Sequence, residues 1–205
     1  MAFMNRSELD FRDIRLVLYS EGYKIEDDFV PREIGYWSRN FNGSIPIRYR
    51  LNTKKFNEFD KKFNQNLIDY HHGINFDNKS EYALVRSDIK GIILTLYNMS
   101  KSNKYPRRKY IGVVNSINIT SMLGYCGLGN LVVDLSKLIW FRDIDLCDLE
   151  KCINYYRDTF KLNPIAYNIC ELHSALKNYE KPMCAGAFAK MIGDYGILTE
   201  EGLEQ

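Results

Sequence analysis

The chain has no apolar run able to cross a bilayer. Its longest, around Gly91–Tyr97, falls far short of the about 20 residues a spanning helix needs. The first residues, Met1-Ala2-Phe3-Met4-Asn5-Arg6-Ser7-Glu8, lack the apolar core of a secretion signal. The expectation is a protein kept in the nucleus or cytoplasm, not secreted and with no membrane partner. An excess of either charge is also missing: 28 Lys and Arg face 26 Asp and Glu, for a formal net charge of +2. Proteins that live on the phosphate backbone usually carry a strong basic excess, so the balance argues against general nucleic-acid binding. Prolines number only 5, and the 13 glycines form no low-complexity stretch. With no repeat and no linker, the 205 residues read as one ordered domain over 8–198, with an N-terminal arm (1–7) and a C-terminal tail (199–205). Five cysteines are an odd count that cannot close a disulfide framework, so reduced thiols or metal ligands are expected. Disulfides made late, between chains, stay open as an alternative.

Aromatic rings are abundant: 15 tyrosines and 11 phenylalanines. They supply large contact areas at low rotamer cost, in cores and between chains alike. The secondary-structure pattern is α+β and dominated by helices. Strands are expected over 14–19, 30–38 and 45–51, with Asn42-Gly43 as the turn between the last two. Phe56, Phe59, Phe63 and Leu67 then recur at helical spacing, predicting an amphipathic helix that buries them and ends near His71-His72-Gly73. Further helices are expected over 81–100, 146–160 (capped by Asp145), 165–179 and from Pro182 onward, with a buried strand over 109–115. The glycines of 124–130 do not follow a convincing strand and form no phosphate cradle. Tyr105-Pro106-Arg107-Arg108-Lys109 is a local basic patch, read either as a solvated loop or as a contact for phosphates.

One spacing suggests shared chemistry. Cys170 and His173 lie three apart on an expected helix and so point the same way, with Cys184 eleven residues beyond His173. Two thiols and an imidazole suit zinc but leave a tetrahedral site one ligand short. The alternative is a packed pair of core cysteines beside a surface histidine.

Three segments, in order, resemble the Maelstrom domain, an offshoot of the DnaQ-like exonucleases with the RNase H fold. They are Arg32-Glu33-Ile34-Gly35, Asp69-Tyr70-His71-His72-Gly73-Ile74, and Cys170-x-x-His173 with Cys184-Ala185. The resemblance implies an RNase H-like core with a small sheet and several helices. It also implies a structural zinc held by Glu33, Cys170, His173 and Cys184. The other reading of Glu33 is a salt bridge to Arg32 or Arg39. The acidic pair that the parent nucleases carry on their first strand would fall at Asp10-Phe11-Arg12, where an arginine replaces a carboxylate. Asp134 and Asp145 are the remaining acid candidates, and both also read as ordinary surface or capping residues. Two-metal hydrolysis needs clustered carboxylates, so no catalytic residue is assigned and the chain is expected not to be an enzyme.

In size, aromatic richness and near-neutral charge, the chain resembles the occlusion-body proteins (polyhedrins) of insect nudiviruses. That resemblance implies a structural protein that packs with copies of itself around virions, in occlusion bodies in the host nucleus or cytoplasm. The alternatives are a Maelstrom-like RNA-binding protein and a DnaQ-like 3'-5' exonuclease. Under the assembly reading, the arm residues Phe3 and Met4 pack on a neighbouring chain. Cys126, Cys147 and Cys152 are then the candidates for intermolecular disulfides.

Overall fold

The computed structural model describes residues 9–25, 28–48, 57–75, 84–85, 88–114, 117–141, 144–145, 148–159, 161–163, 167 and 184–202. These form an α+β fold built on one open, mixed sheet. The strands are β1 (Ile14–Ile25), β2 (Asp28–Trp37), β3 (Asn42–Arg48), β4 (Leu84–Val85), β5 (Tyr110–Val113) and β6 (Val132–Asp134). The helices are α1 (Glu58–Leu67), α2 (Ile89–Met99), α3 (Ile117–Tyr125), α4 (Leu149–Thr159) and α5 (Ala185–Gly202). Across the sheet the order is β4-β3-β2-β1-β5-β6. β1, β2 and β3 form an antiparallel meander, whereas β5 runs parallel to β1 and β6 parallel to β5. No helix among the described residues is long and apolar enough to cross a membrane.

β1 is central because its sequence is apolar on both faces, the pattern of a strand covered from two sides. Val17 and Tyr19 join a core with Trp37 and the apolar residues of α4 and α5. Leu16 and Leu18 join a second core with Ile34, Ile93 of α2 and Leu123 of α3. The sheet therefore lies between two helical layers, with α5 crossing β1, β2 and β3 and α4 packed on α5. Small residues let α5 approach. A Cβ on Gly35 would overlap the carbonyl oxygen of Ala185, and one on Gly193 would enter the Trp37 ring.

Several element boundaries differ from expectation. β1 extends to Ile25, beyond the parallel part of the sheet, and Asn42 belongs to β3; the turn lies over 38–41. Among the described residues of the helix expected over 81–100, α2 is helical and Leu84–Val85 pair with β3 instead. Among the described residues α4 begins at Leu149, and α3 and β6 were not anticipated. α5 runs through Thr199 to Gly202, so the expected tail begins inside a helix. The helix expected over 165–179 and the arm residues Phe3 and Met4 fall outside the described residues.

The largest departure concerns α1. Its buried side is Asp60 and Asn64, followed by Ile68. Phe59 is 72 % exposed and Phe63 39 %, although the helical spacing predicted both to be inward. Hydrogen bonding sets this orientation. Asn64 accepts from Lys24 N at 2.8 Å and donates to Lys24 O at 2.5 Å, completing an edge of β1 that pairs with no strand there among the described residues. Asn57 caps the helix by accepting from Asp60 N at 2.7 Å.

Candidate functional site

The N-terminus of α5 rests against β2, where its first unpaired N–H groups need acceptors. Glu33 supplies them from the strand. Its Oε2 accepts from Ala185 N at 2.9 Å, and the Cys184 thiol donates to its Oε1 at 3.7 Å. Both side chains are buried, Glu33 at 0 % exposure and Cys184 at 1 %. A carboxylate at a helix N-terminus is favoured by the helix dipole and forms stronger hydrogen bonds than a neutral acceptor.

Across the strand pair, Glu21 stands directly opposite Glu33. Its carboxyl is pushed up to about 8, chiefly by burial, with the charges of Glu33 and Cys184 adding to the rise. A hydrogen bond with Tyr19 acts in the opposite direction. Near neutral pH Glu21 is therefore mostly protonated, which relieves like-charge repulsion beneath the helix. The register slips between Glu21 and Gly22, and a side chain at Gly22 would overlap the Val30 carbonyl.

Of the four expected zinc ligands, Glu33 and Cys184 are brought together, while Cys170 and His173 lie outside the described residues. Sulfur at about 2.3 Å and oxygen at about 2.1 Å from a tetrahedral zinc are about 3.6 Å apart, so the 3.7 Å separation fits two ligands of one ion. Among the described residues no group of three or more His, Cys, Asp or Glu could hold a metal. Arg39, one alternative partner for Glu33, pairs instead with Glu200 at 2.6 Å.

The residues considered for nuclease chemistry are dispersed. Asp10-Phe11-Arg12 precedes β1 and is not part of it: Phe11–Asp13 form a 3-10 turn that Asp10 caps. Arg12 pairs with Asp10 at 3.3 Å. The cavity they border, with Trp140 and Glu200, is about 10 Å³, room for no more than a water. Asp134 caps the turn after β6 by accepting from Ser136 N and Oγ, and Asp145 is an exposed residue ahead of α4. His72 is buried, with Nδ1 accepting from Ile74 N at 3.0 Å and Nε2 3.2 Å from Gly22 O. The first bond requires Nδ1 to be unprotonated, so Nε2 carries the hydrogen and donates to the Gly22 carbonyl. This histidine fastens the end of α1 to β1.

The basic patch is split between the interior and the surface. Arg108 is buried and donates to Phe11 O, Ile14 O and both carboxylate oxygens of Glu200. Tyr105 lies against the guanidinium groups of both Arg39 and Arg108. Arg107 and Lys109 remain exposed. Of the disulfide candidates, Cys126 is buried and desolvation pushes its thiol up, although Lys90 acts to lower it. Cys152 is partly accessible on α4, and Cys147 lies outside the described residues. Glu21 and the Arg39–Glu200–Arg108 cluster were not foreseen. Only strand register pairs Glu21 with Glu33, and only the course of α5 brings Glu200 to the arginines.

No protein-family model matches the chain, and no curated protein matches it.

Proposed function

We propose that this chain is a structural, non-enzymatic protein of the polyhedrin type, using an RNase H-like domain as a building block that packs with copies of itself. The observation that carries the reading is the set of large apolar side chains left on the surface. Phe59, Phe63, Tyr70, Tyr125, Ile139 and Tyr155 are exposed while two full cores already fill the interior. Rings of this kind are costly in water and favourable between chains. The mixed sheet covered by helices on both faces supports the RNase H-like part, for which the resemblance implies a small sheet and several helices. The dispersal of the acids supports a non-catalytic role. The Maelstrom-like RNA-binding reading is weakened because Arg108 is committed to Glu200.

Glu33 and Cys184, with Cys170 and His173, would hold the zinc that the resemblance implies. With four protein ligands it would act structurally, tying β2 to α5. The expected test result is that the chain expressed alone in insect cells sediments as dense particles. A fully soluble monomer that binds single-stranded RNA at physiological salt would overturn the proposal.

A further inference from the structure

We infer that the exposed face of α1 is a self-complementary contact, on which a second copy of this chain docks with its own α1 running antiparallel. The inference deepens the assembly reading and rests on it for the class of partner. Phe59 and Phe63 are four residues apart and therefore share one stripe, their rings stacked at 6.3 Å between centroids and 17° between planes. Both are exposed, and Tyr70 continues the apolar surface beyond the helix end at 38 % exposure. The opposite side of α1 is committed to β1 through Asn64, so the helix cannot turn its rings inward without losing those bonds.

Charge selects the partner. Glu58 immediately precedes Phe59 and Lys62 immediately precedes Phe63, so an acid and a base flank the two rings on the same side of the stripe. An antiparallel pair related by a two-fold axis that sets Phe59 against Phe63 of the second copy also sets each Glu58 opposite a Lys62, twice by symmetry. A parallel pair about a two-fold axis would put the two Glu58–Lys62 flanks on opposite sides of the seam, so neither ion pair would form. The Glu58–Lys61 bond within the helix, at 2.9 Å, is solvent-exposed and offers little resistance to exchange. One helix pair is a small contact, suited to a weak dimer or to one repeated joint in a larger array.

The test is sedimentation of the purified, reduced full chain and four variants up to about 1 mM, the range in which a weak contact is populated. The wild type should show a monomer–dimer equilibrium that Phe59→Ser/Phe63→Ser abolishes, with circular dichroism and unfolding midpoint retained because both rings are outside the core. Glu58→Lys and Lys62→Glu should each raise the dissociation constant about tenfold, and the double swap Glu58→Lys/Lys62→Glu should restore it, since the reversed pairs again attract. Failure of the double swap to restore binding would overturn the antiparallel contact. Self-association that ignores all four variants would overturn this contact but leave the assembly reading standing. A wild type that stays monomeric throughout would overturn both, the more so if the serine variant loses binding to a single-stranded RNA probe.

Discussion

Glu33 is the residue on which the start of α5 depends. Replacing it with alanine leaves the Ala185 N–H and the Cys184 thiol without this acceptor and opens a void, at an expected cost of about 3 kcal/mol. Glu33→Gln keeps an acceptor oxygen and should cost less than half as much, measured by urea unfolding. Equal losses for the two variants would contradict the capping role. Glu21 makes a separate prediction about pH. Its carboxyl ionises near its ordinary value of 4.5 in the unfolded chain but only at about 8 in the fold. Between those values the folded state holds a proton that the unfolded state has released. The stability due to Glu21 is thus complete below 4.5 and is lost as pH rises through about 8. Because the side chain keeps partial access to water, the loss should be on the order of 2 kcal/mol. Unfolding measured with a chelator present should show this decline in the wild type and its absence in Glu21→Gln; an unchanged slope in the variant would assign the decline to other groups. At this scale the sequence revealed Glu33 and Cys184 through a spacing pattern and a resemblance. It hid Glu21, whose partner is twelve residues away and is set only by how β1 and β2 align.

α5 is the element that organises the molecule, held at its start by Glu33 and near its end by Glu200. Glu200 sits between Arg39 and Arg108, and Arg108 also holds the entry to β1 through Phe11 and Ile14. Glu200→Ala would leave two largely buried guanidinium groups without this counter-charge, at an expected cost of about 4 kcal/mol in an unfolding experiment. A loss under about 1 kcal/mol would show that the arginines re-pair without strain. Gly35→Ala should be comparably severe, because the methyl group would meet backbone and not a movable side chain. The apolar strands β1 and β5 were legible because fully buried strands read as nearly continuous apolar runs. α1 was legible as a helix but not in its orientation. The Phe59–Phe63 stripe has the period of a core face, yet the amide of Asn64, bonded to Lys24, fixes the opposite side inward. β6 and α3 were missed because a three-residue strand and a nine-residue helix carry little periodic signal.

For the whole molecule, two cores enclose the sheet, Asp10 and Asp134 of the candidate nuclease acids are spent on caps and an ion pair, and aromatic side chains remain at the surface. The central claim is that copies of the chain pack together in a regular array. Overall charge and aromatic count made that claim possible from sequence; the faces that meet depend on which rings the fold leaves outside, and periodicity alone put Phe59 and Phe63 on the wrong side. Diffraction from particles formed by the chain expressed alone in insect cells tests the claim most directly. The account predicts sharp rings or spots from a three-dimensional lattice, weakened when Phe59→Ser/Phe63→Ser is introduced. Particles without lattice order, or no particles at all from a folded and soluble chain, would contradict it.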